Sequence, residues 1–341
     1  MATHLTISGA ASGLWTALLG LTLACPMKSA AASSMEPGAA HPGNVIRIDY
    51  HGWTDALLLR NSVVEAVIVP SIGRVMQFRF AGSQEGPFWE NDKLLGTKPD
   101  AESTDWANFG GDKAWPAPQA NWPQIASRGW PPPGGFDGLP QEAVVEGPAV
   151  ILVSPVDPSF GIGMRRRIEL RPGQPVMTIT TRYEKASGPP VEVSVWIITQ
   201  LKNPVTTQAI FADPQLPRET EVRQLNESPA AFQLERGRLT LARDPDWNHK
   251  IGVRSATLVW IGEKEILRID SPLVADGKYP DNGSSAEIYT NAGPLAYVEL
   301  EMLGPLEKMA IGDKIERVST YTLKQRAEND PATESKRSLE R

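Results

Sequence analysis

Short runs in which apolar and polar side chains alternate recur from about residue 44 to residue 324, and nowhere in that span are apolar residues sustained at spacings of three and four. Alternation puts successive side chains on opposite faces of a strand, whereas a helix needs the longer period. In one run Val63, Glu65, Val67 and Val69 share a face, and Val64, Ala66 and Ile68 share the other. The run stops at Pro70, turns through Ser71-Ile72-Gly73 and resumes from Val75 to Phe80, the pattern of a hairpin. Similar runs occupy 143–153, 163–170, 176–183, 191–201, 231–234, 256–261, 266–271, 286–290, 295–303 and 315–323, each bounded by Gly, Pro, Asn or Asp. With 30 Pro and 29 Gly, turns are frequent and long helices few. Many strands without intervening helices predict an all-β chain of antiparallel sheets packed face to face. There is no repeat of fixed period, which disfavours a propeller.

Composition narrows the function classes. Hydrophobic residues make up 41% and charged residues 22%, close to a globular average. The formal net charge of −6 argues against nucleic acid as a partner, since phosphate binding needs clustered Lys and Arg. The basic run Arg165-Arg166-Arg167 lies between Met164 and Ile168 and reads as part of a strand. The single cysteine, Cys25, excludes disulfides and Cys-rich zinc sites, and no cofactor is expected. A phosphate loop and a Gly-x-Ser-x-Gly elbow are both missing.

The ends differ from the body. Residues 9–25 are apolar and precede the small residues Ala30-Ala31-Ala32-Ser33, so 1–32 is expected to be a secretory or lipoprotein leader, followed by a linker over 33–43. The segment before residue 9 holds His4 but no Lys or Arg, which departs from an ordinary leader. The expected location is the periplasm or outside the cell, with lipid at Cys25 as the one route to a membrane. The alternative is an N-terminal extension on a cytoplasmic protein. Residues 325–341 are charged and nearly free of large apolar side chains, and are expected to be a solvated tail. The single domain expected between them spans 44–324.

One internal segment carries little strand pattern. Residues 87–140 are rich in Trp, Pro, Gly and Asn and hold Trp89, Trp106, Trp115, Trp122 and Trp130, half of the 10 tryptophans. A loop of this length usually has functional content. Indoles suit sugar recognition, because the C–H face of a pyranose stacks on a flat apolar ring that carries one polar handle. They also suit a core.

The block from Asn108 to Gln119, Asn-Phe-Gly-Gly-Asp-Lys-Ala-Trp-Pro-Ala-Pro-Gln, with Trp122-Pro123 and Trp130-Pro131-Pro132-Pro133 after it, resembles a bacterial family of the galactose mutarotase-like, or aldose epimerase-like, superfamily. The turn region 67–75, the strand 196–200 and the run 297–305 resemble it too, so the likeness covers roughly 45–323. The resemblance implies a β-supersandwich with one sheet curved around a sugar. It also implies a Glu general base on the anomeric hydroxyl and a His general acid at the ring oxygen.

Carboxylates are available for such chemistry. In the strand 295–303, Tyr297, Glu299 and Glu301 share a face, with the two carboxylates roughly 6–7 Å apart. They could hold a sugar, serve as base, ligate a cation or simply face solvent. Glu287 is a third candidate. The strand 195–201, where the resemblance would put the histidine, carries Trp196, Thr199 and Gln200 instead. His249, in the polar stretch 246–250, is the histidine considered as acid, with a surface role as the alternative. In Gly110-Gly111-Asp112-Lys113 the glycines allow close approach of a ligand, and Asp112 and Lys113 could accept from and donate to its hydroxyls. A structural turn is the other reading. Asn108, Trp115, Gln119, Trp122, Trp196, Gln200, Glu287 and Tyr297 complete the candidate sugar contacts. Three functions follow: an exported carbohydrate-binding or carbohydrate-processing protein, an aldose 1-epimerase-like isomerase, and a non-catalytic structural or interaction protein of the cell envelope.

Overall fold

The structure is a computed structural model that describes residues 44–99, 105–213 and 215–339. The leader and linker expected at 1–43 lie outside the described residues, as does Cys25. Among the described residues no helix is long and apolar enough to cross a membrane.

Two large antiparallel sheets make up the body, one of eleven strands and one of ten. The first sheet runs, in spatial order, through Val45–Tyr50, Trp53–Arg60, Val64–Val69, Arg74–Phe80, Asp112–Ala117, Val191–Lys202, Tyr297–Leu303, Ala286–Thr290, His249–Val253 and Arg223–Gln224, with Glu307–Met309 on the end of Val191–Lys202. The second runs through Gln233–Glu235, Arg238–Leu241, Thr206–Ile210, Thr257–Ile261, Glu265–Asp270, Lys314–Gln325, Val176–Lys185, Ile162–Leu170, Ala149–Val153 and Glu142–Glu146. The expected hairpin forms with its turn in a short 3₁₀ segment, Pro70–Ile72, closed by Gly73 at φ 63°.

Alternation decides which face each side chain takes. Val298, Leu300 and Met302 of Tyr297–Leu303 are fully buried on the face opposite Tyr297, Glu299 and Glu301. Each such aliphatic side chain contributes about 1.5–3 kcal/mol when removed from water. The same buried face carries Asp112 on the neighbouring strands. Its carboxylate is ion-paired with Arg166 of the second sheet and accepts hydrogen bonds from the hydroxyls of Thr199 (2.7 Å) and Tyr321 (2.6 Å). All four side chains are buried, so this network ties one sheet to the other.

Three expectations need correction. The segment 87–140 is not free of regular structure: Asp112–Ala117 is an inner strand of the first sheet, paired along its length with Ser194–Thr199. It escapes the alternation test because all six of its residues are buried, on both faces. Pro116 fits because only Asp112 pairs with the strand on the other side. The stretch around His249 is likewise a strand, His249–Val253, rather than a polar loop. Finally, the described part of the expected tail, residues 325–339, is not simply solvated. Lys314–Gln325 is a long strand, and Pro331–Leu339 is a helix whose Glu334 is buried, accepting the backbone N–H groups of Ala327 and Glu328 and pairing with Arg337 (2.7 Å). Charged residues satisfy one another there, so the segment orders without much apolar surface.

Candidate functional site

On the face of the first sheet turned away from the second, cross-strand pairing assembles residues distant in sequence. Lys113 lies opposite Ile198, Ile198 opposite Glu301 and Glu301 opposite Glu287, while Gln200 lies opposite Glu299, Glu299 opposite Tyr289 and Tyr289 opposite Lys250. Directly opposed residues share a face. Over this face lies a cleft of about 280 Å³ lined by Trp106, Trp115, Trp130, Trp196, Tyr289 and Tyr297, with Gln119, Lys250, Glu299 and Glu301 as its polar groups.

The aromatic wall is organised around Trp115. Its ring meets those of Trp106, Trp122, Trp130 and Trp196 edge to face, at centroid distances of 5.6, 5.7, 5.8 and 5.5 Å. The indole N–H groups of Trp106 (3.0 Å) and Trp115 (2.9 Å) both donate to Oδ2 of Asp137, which is itself ion-paired to the buried Arg74 at 2.7 Å. One carboxylate thus fixes two rings, and sequence reasoning did not single it out. Trp130 stands at the mouth, 46% exposed. Trp122 does not reach the cleft: it is fully buried behind Trp115, and its N–H donates to the Pro116 carbonyl at 2.7 Å.

Two lysine–carboxylate groups lie in the sheet face. Lys250 Nζ is 2.8 Å from Glu287 and 3.0 Å from Glu301, and 4.4 Å from the centre of the Trp196 ring. Burial acts to lower the pKa of this ammonium, but the carboxylates of Glu287 and Glu301 outweigh it and raise it. Burial pushes the Glu287 carboxyl well above the usual range, Lys250 opposing, with Glu301 and Asp281 adding to the rise. Glu301 accepts the Trp196 indole N–H at 2.6 Å on Oε2, the oxygen that also faces Lys250, while its Oε1 is buried without a hydrogen-bond partner. The second group is Lys113, whose Nζ lies 3.5 Å from Glu299 and sits over the rings of Trp106 and Trp115 at 5.6 and 5.1 Å. Burial brings the Lys113 ammonium down to about 8, although Glu299 works against it. Burial also raises Glu299, with Lys113 holding it back.

The remaining candidates divide by face and depth. Tyr297, Glu299, Glu301, Trp115, Trp196 and Gln119 line the cleft together. Asn108 and Gln200 lie behind it. The Asn108 amide faces the Tyr297 hydroxyl at 3.4 Å, and Gln200 is fully buried beside the same tyrosine. Glu287 is fully buried and meets the cleft only through Lys250. Lys113 lies beneath the floor and acts on the cleft through Glu299.

Asp112 and His249 are not in the site. Asp112 is the chain neighbour of Lys113, and alternation therefore sends it into the core between the sheets. His249 is the neighbour of Lys250 and is likewise turned away. It is buried rather than on the surface, with Nε2 3.0 Å from Asp244 and Nδ1 3.1 Å from the Ser228 carbonyl. The glycines before Asp112 serve the fold as well. A Cβ on Gly110 (φ 94°) would lie 2.1 Å from the Trp89 carbonyl, so the close approach expected of a ligand is made by backbone.

Lys250 was missed because a lysine in a polar stretch carries no sign of its partners; its position follows only from the pairing with Tyr289. Among the described residues no group of three or more His, Cys, Asp or Glu is placed to hold a metal ion. The cation beside Glu301 is Lys250.

No protein-family model matches the sequence, and no curated protein matches it. Solved structures do. A galactose mutarotase-like protein from Lactobacillus casei superposes with a TM-score of 0.55 at 10% identity, covering 79% of this chain and 100% of its own. A putative mutarotase from Salmonella typhimurium gives 0.52 at 11% identity, over 80% and 91% of the two chains. A putative aldose 1-epimerase from Klebsiella pneumoniae gives 0.51 at 9% identity, over 82% of each. Identities this low speak to architecture, and with the two stacked antiparallel sheets they establish that this chain has the galactose mutarotase-like fold.

Proposed function

We propose that the cleft binds a carbohydrate. The observation that carries this reading is an indole-walled hollow whose floor presents a buried carboxylate oxygen, Oε1 of Glu301, with no partner in the protein. A buried acceptor left unsatisfied costs free energy until a donor reaches it, and a sugar hydroxyl is a donor of suitable size. The rings of Trp106, Trp130 and Trp196 offer apolar area to the C–H face of the same sugar, with Glu299, Lys250 and Gln119 left for its hydroxyls. Titration with a panel of mono- and oligosaccharides, followed by tryptophan fluorescence and calorimetry, is expected to give saturable binding that Glu301→Ala abolishes. A protein indifferent to every sugar would overturn the proposal.

A second reading, aldose 1-epimerase-like isomerisation, is favoured by Glu299 and Lys113, a pair whose carboxyl is raised and whose ammonium falls to about 8. In this scheme Glu301 Oε1 accepts the proton of the anomeric hydroxyl and the Glu299 carboxyl protonates the ring oxygen as the C1–O5 bond breaks. The open-chain aldehyde rotates and closes with the proton transfers reversed. Polarimetry on freshly dissolved aldoses is expected to show faster mutarotation than buffer, lost in Glu299→Gln; a rate equal to buffer would leave binding alone. The apolar stretch at 9–25, which reads as part of a leader, supports export of this protein, and N-terminal sequencing of the mature chain from fractionated cells tests that.

A further inference from the structure

Trp106 borders a second hollow besides the cleft. A groove of about 450 Å³ runs on from it, bounded by Ala107, Arg128, Pro131, Pro132, Asp137 and Leu139, and Trp106 lines both. The two hollows also share their supports. Asp137, which lines the groove, holds the N–H groups of Trp106 and Trp115 in the cleft wall. Trp130, at the cleft mouth, leads directly into Pro131 and Pro132 of the groove, and its ring packs edge to face on Trp106 at 5.1 Å. The indole ridge between the hollows is therefore fixed from both sides rather than a loose flap.

A cleft of about 280 Å³ is near the lower bound for a small-ligand site, so one sugar ring would occupy most of it. The groove is larger, and its prolines and Leu139 offer apolar area beside the exposed guanidinium of Arg128, which has room to meet hydroxyls. Its buried carboxylate, Asp137, is taken up by Arg74 and by the N–H groups of Trp106 and Trp115, so the groove suits binding along a chain rather than reaction.

Resting on the sugar-binding reading of the cleft, we infer that the ligand is an oligosaccharide. One ring lies over Glu301, and the next one or two pass Trp106 into the groove. Linking two subsites makes the second contact intramolecular, so affinity rises with chain length until the groove is filled.

The test uses homologous ladders of gluco-, galacto-, manno- and xylo-oligosaccharides, one to six rings long, titrated into the full chain by calorimetry. For the ladder that binds, affinity is expected to rise at least about tenfold from one ring to three and then level off. Leu139→Trp, which fills the groove, is expected to return the trisaccharide to the monosaccharide value and leave the monosaccharide unchanged. Arg128→Ala, at an exposed side chain that threatens no packing, is expected to weaken the trisaccharide alone. Equal affinity for one ring and three, or a length dependence that survives both substitutions, overturns the groove assignment while the cleft reading stands. No binding by any ladder at any length overturns both.

Discussion

Replacing Lys250 by methionine should destabilise the protein strongly at neutral pH and much less in mild acid. The ammonium lies 2.8 Å from Glu287 and 3.0 Å from Glu301, whose side chains are 0% and 1% exposed, and is itself only 19% exposed. Methionine keeps most of the volume and the contact with Trp196 but removes the charge. Two buried carboxylates then face each other, with Asp281 adding to the repulsion at Glu287. Breaking a buried pair by removing one partner costs about 3–5 kcal/mol. In a domain of this size that corresponds to a fall in Tm on the order of 10 °C.

The pH dependence has a definite sign. Burial holds the folded-state pKa of Glu287 above that of the unfolded chain, and loss of Lys250, which opposes the rise, raises it further. Between the two pKa values the folded state binds more protons than the unfolded state, so stability falls as pH rises through that window and is recovered as pH falls. Chemical denaturation at pH 5 and pH 7.5 should therefore show a smaller deficit at the lower pH. Lys250→Arg, which keeps the charge, should lose less at both, and Glu287→Gln in the Lys250→Met background should restore part of the loss at pH 7.5. A methionine variant as stable as the parent at pH 7.5, or one whose deficit grows on acidification, would refute the electrostatic account of this cluster.

Two more predictions separate the cleft from the core. Lys113, with its ammonium brought down to about 8, binds fewer protons folded than unfolded between about pH 8 and pH 10, so its contribution to stability should grow across that interval; denaturation profiles of Lys113→Met should lack this rise. Asp112→Ala should cost about 3–5 kcal/mol by chemical denaturation, because Arg166 is left charged and buried, yet leave sugar affinity at the parent value; a large loss of affinity in a folded variant would place Asp112 back in the site.

Fold class was legible because alternation is a local property. The face shared by Tyr297, Glu299 and Glu301 follows from spacing alone, and the cleft uses all three. The indole-rich segment could be marked as unusual for the same reason, since composition is visible without coordinates. What failed locally was the inner strand Asp112–Ala117. Buried on both faces, it shows no alternation, and so the opposite fates of Asp112 and Lys113 were hidden. The closing helix was hidden by its charge, which composition assigns to solvent but which Glu334 and Arg337 neutralise within the fold.

The sequence by itself determined the sheet class, the strands that alternate and which neighbours along a strand share a face, because those depend on backbone geometry over a few residues. Only the tertiary structure decided which faces meet. Register between strands brought Lys250 beside Glu287 and Glu301, and the return of the chain after Trp130 brought Asp137 under Trp106 and Trp115. These contacts span distances in sequence that no local pattern encodes. They form because burying the apolar face of the sheet fixes the register, and the charged and indole groups on the other face must then satisfy one another where they fall.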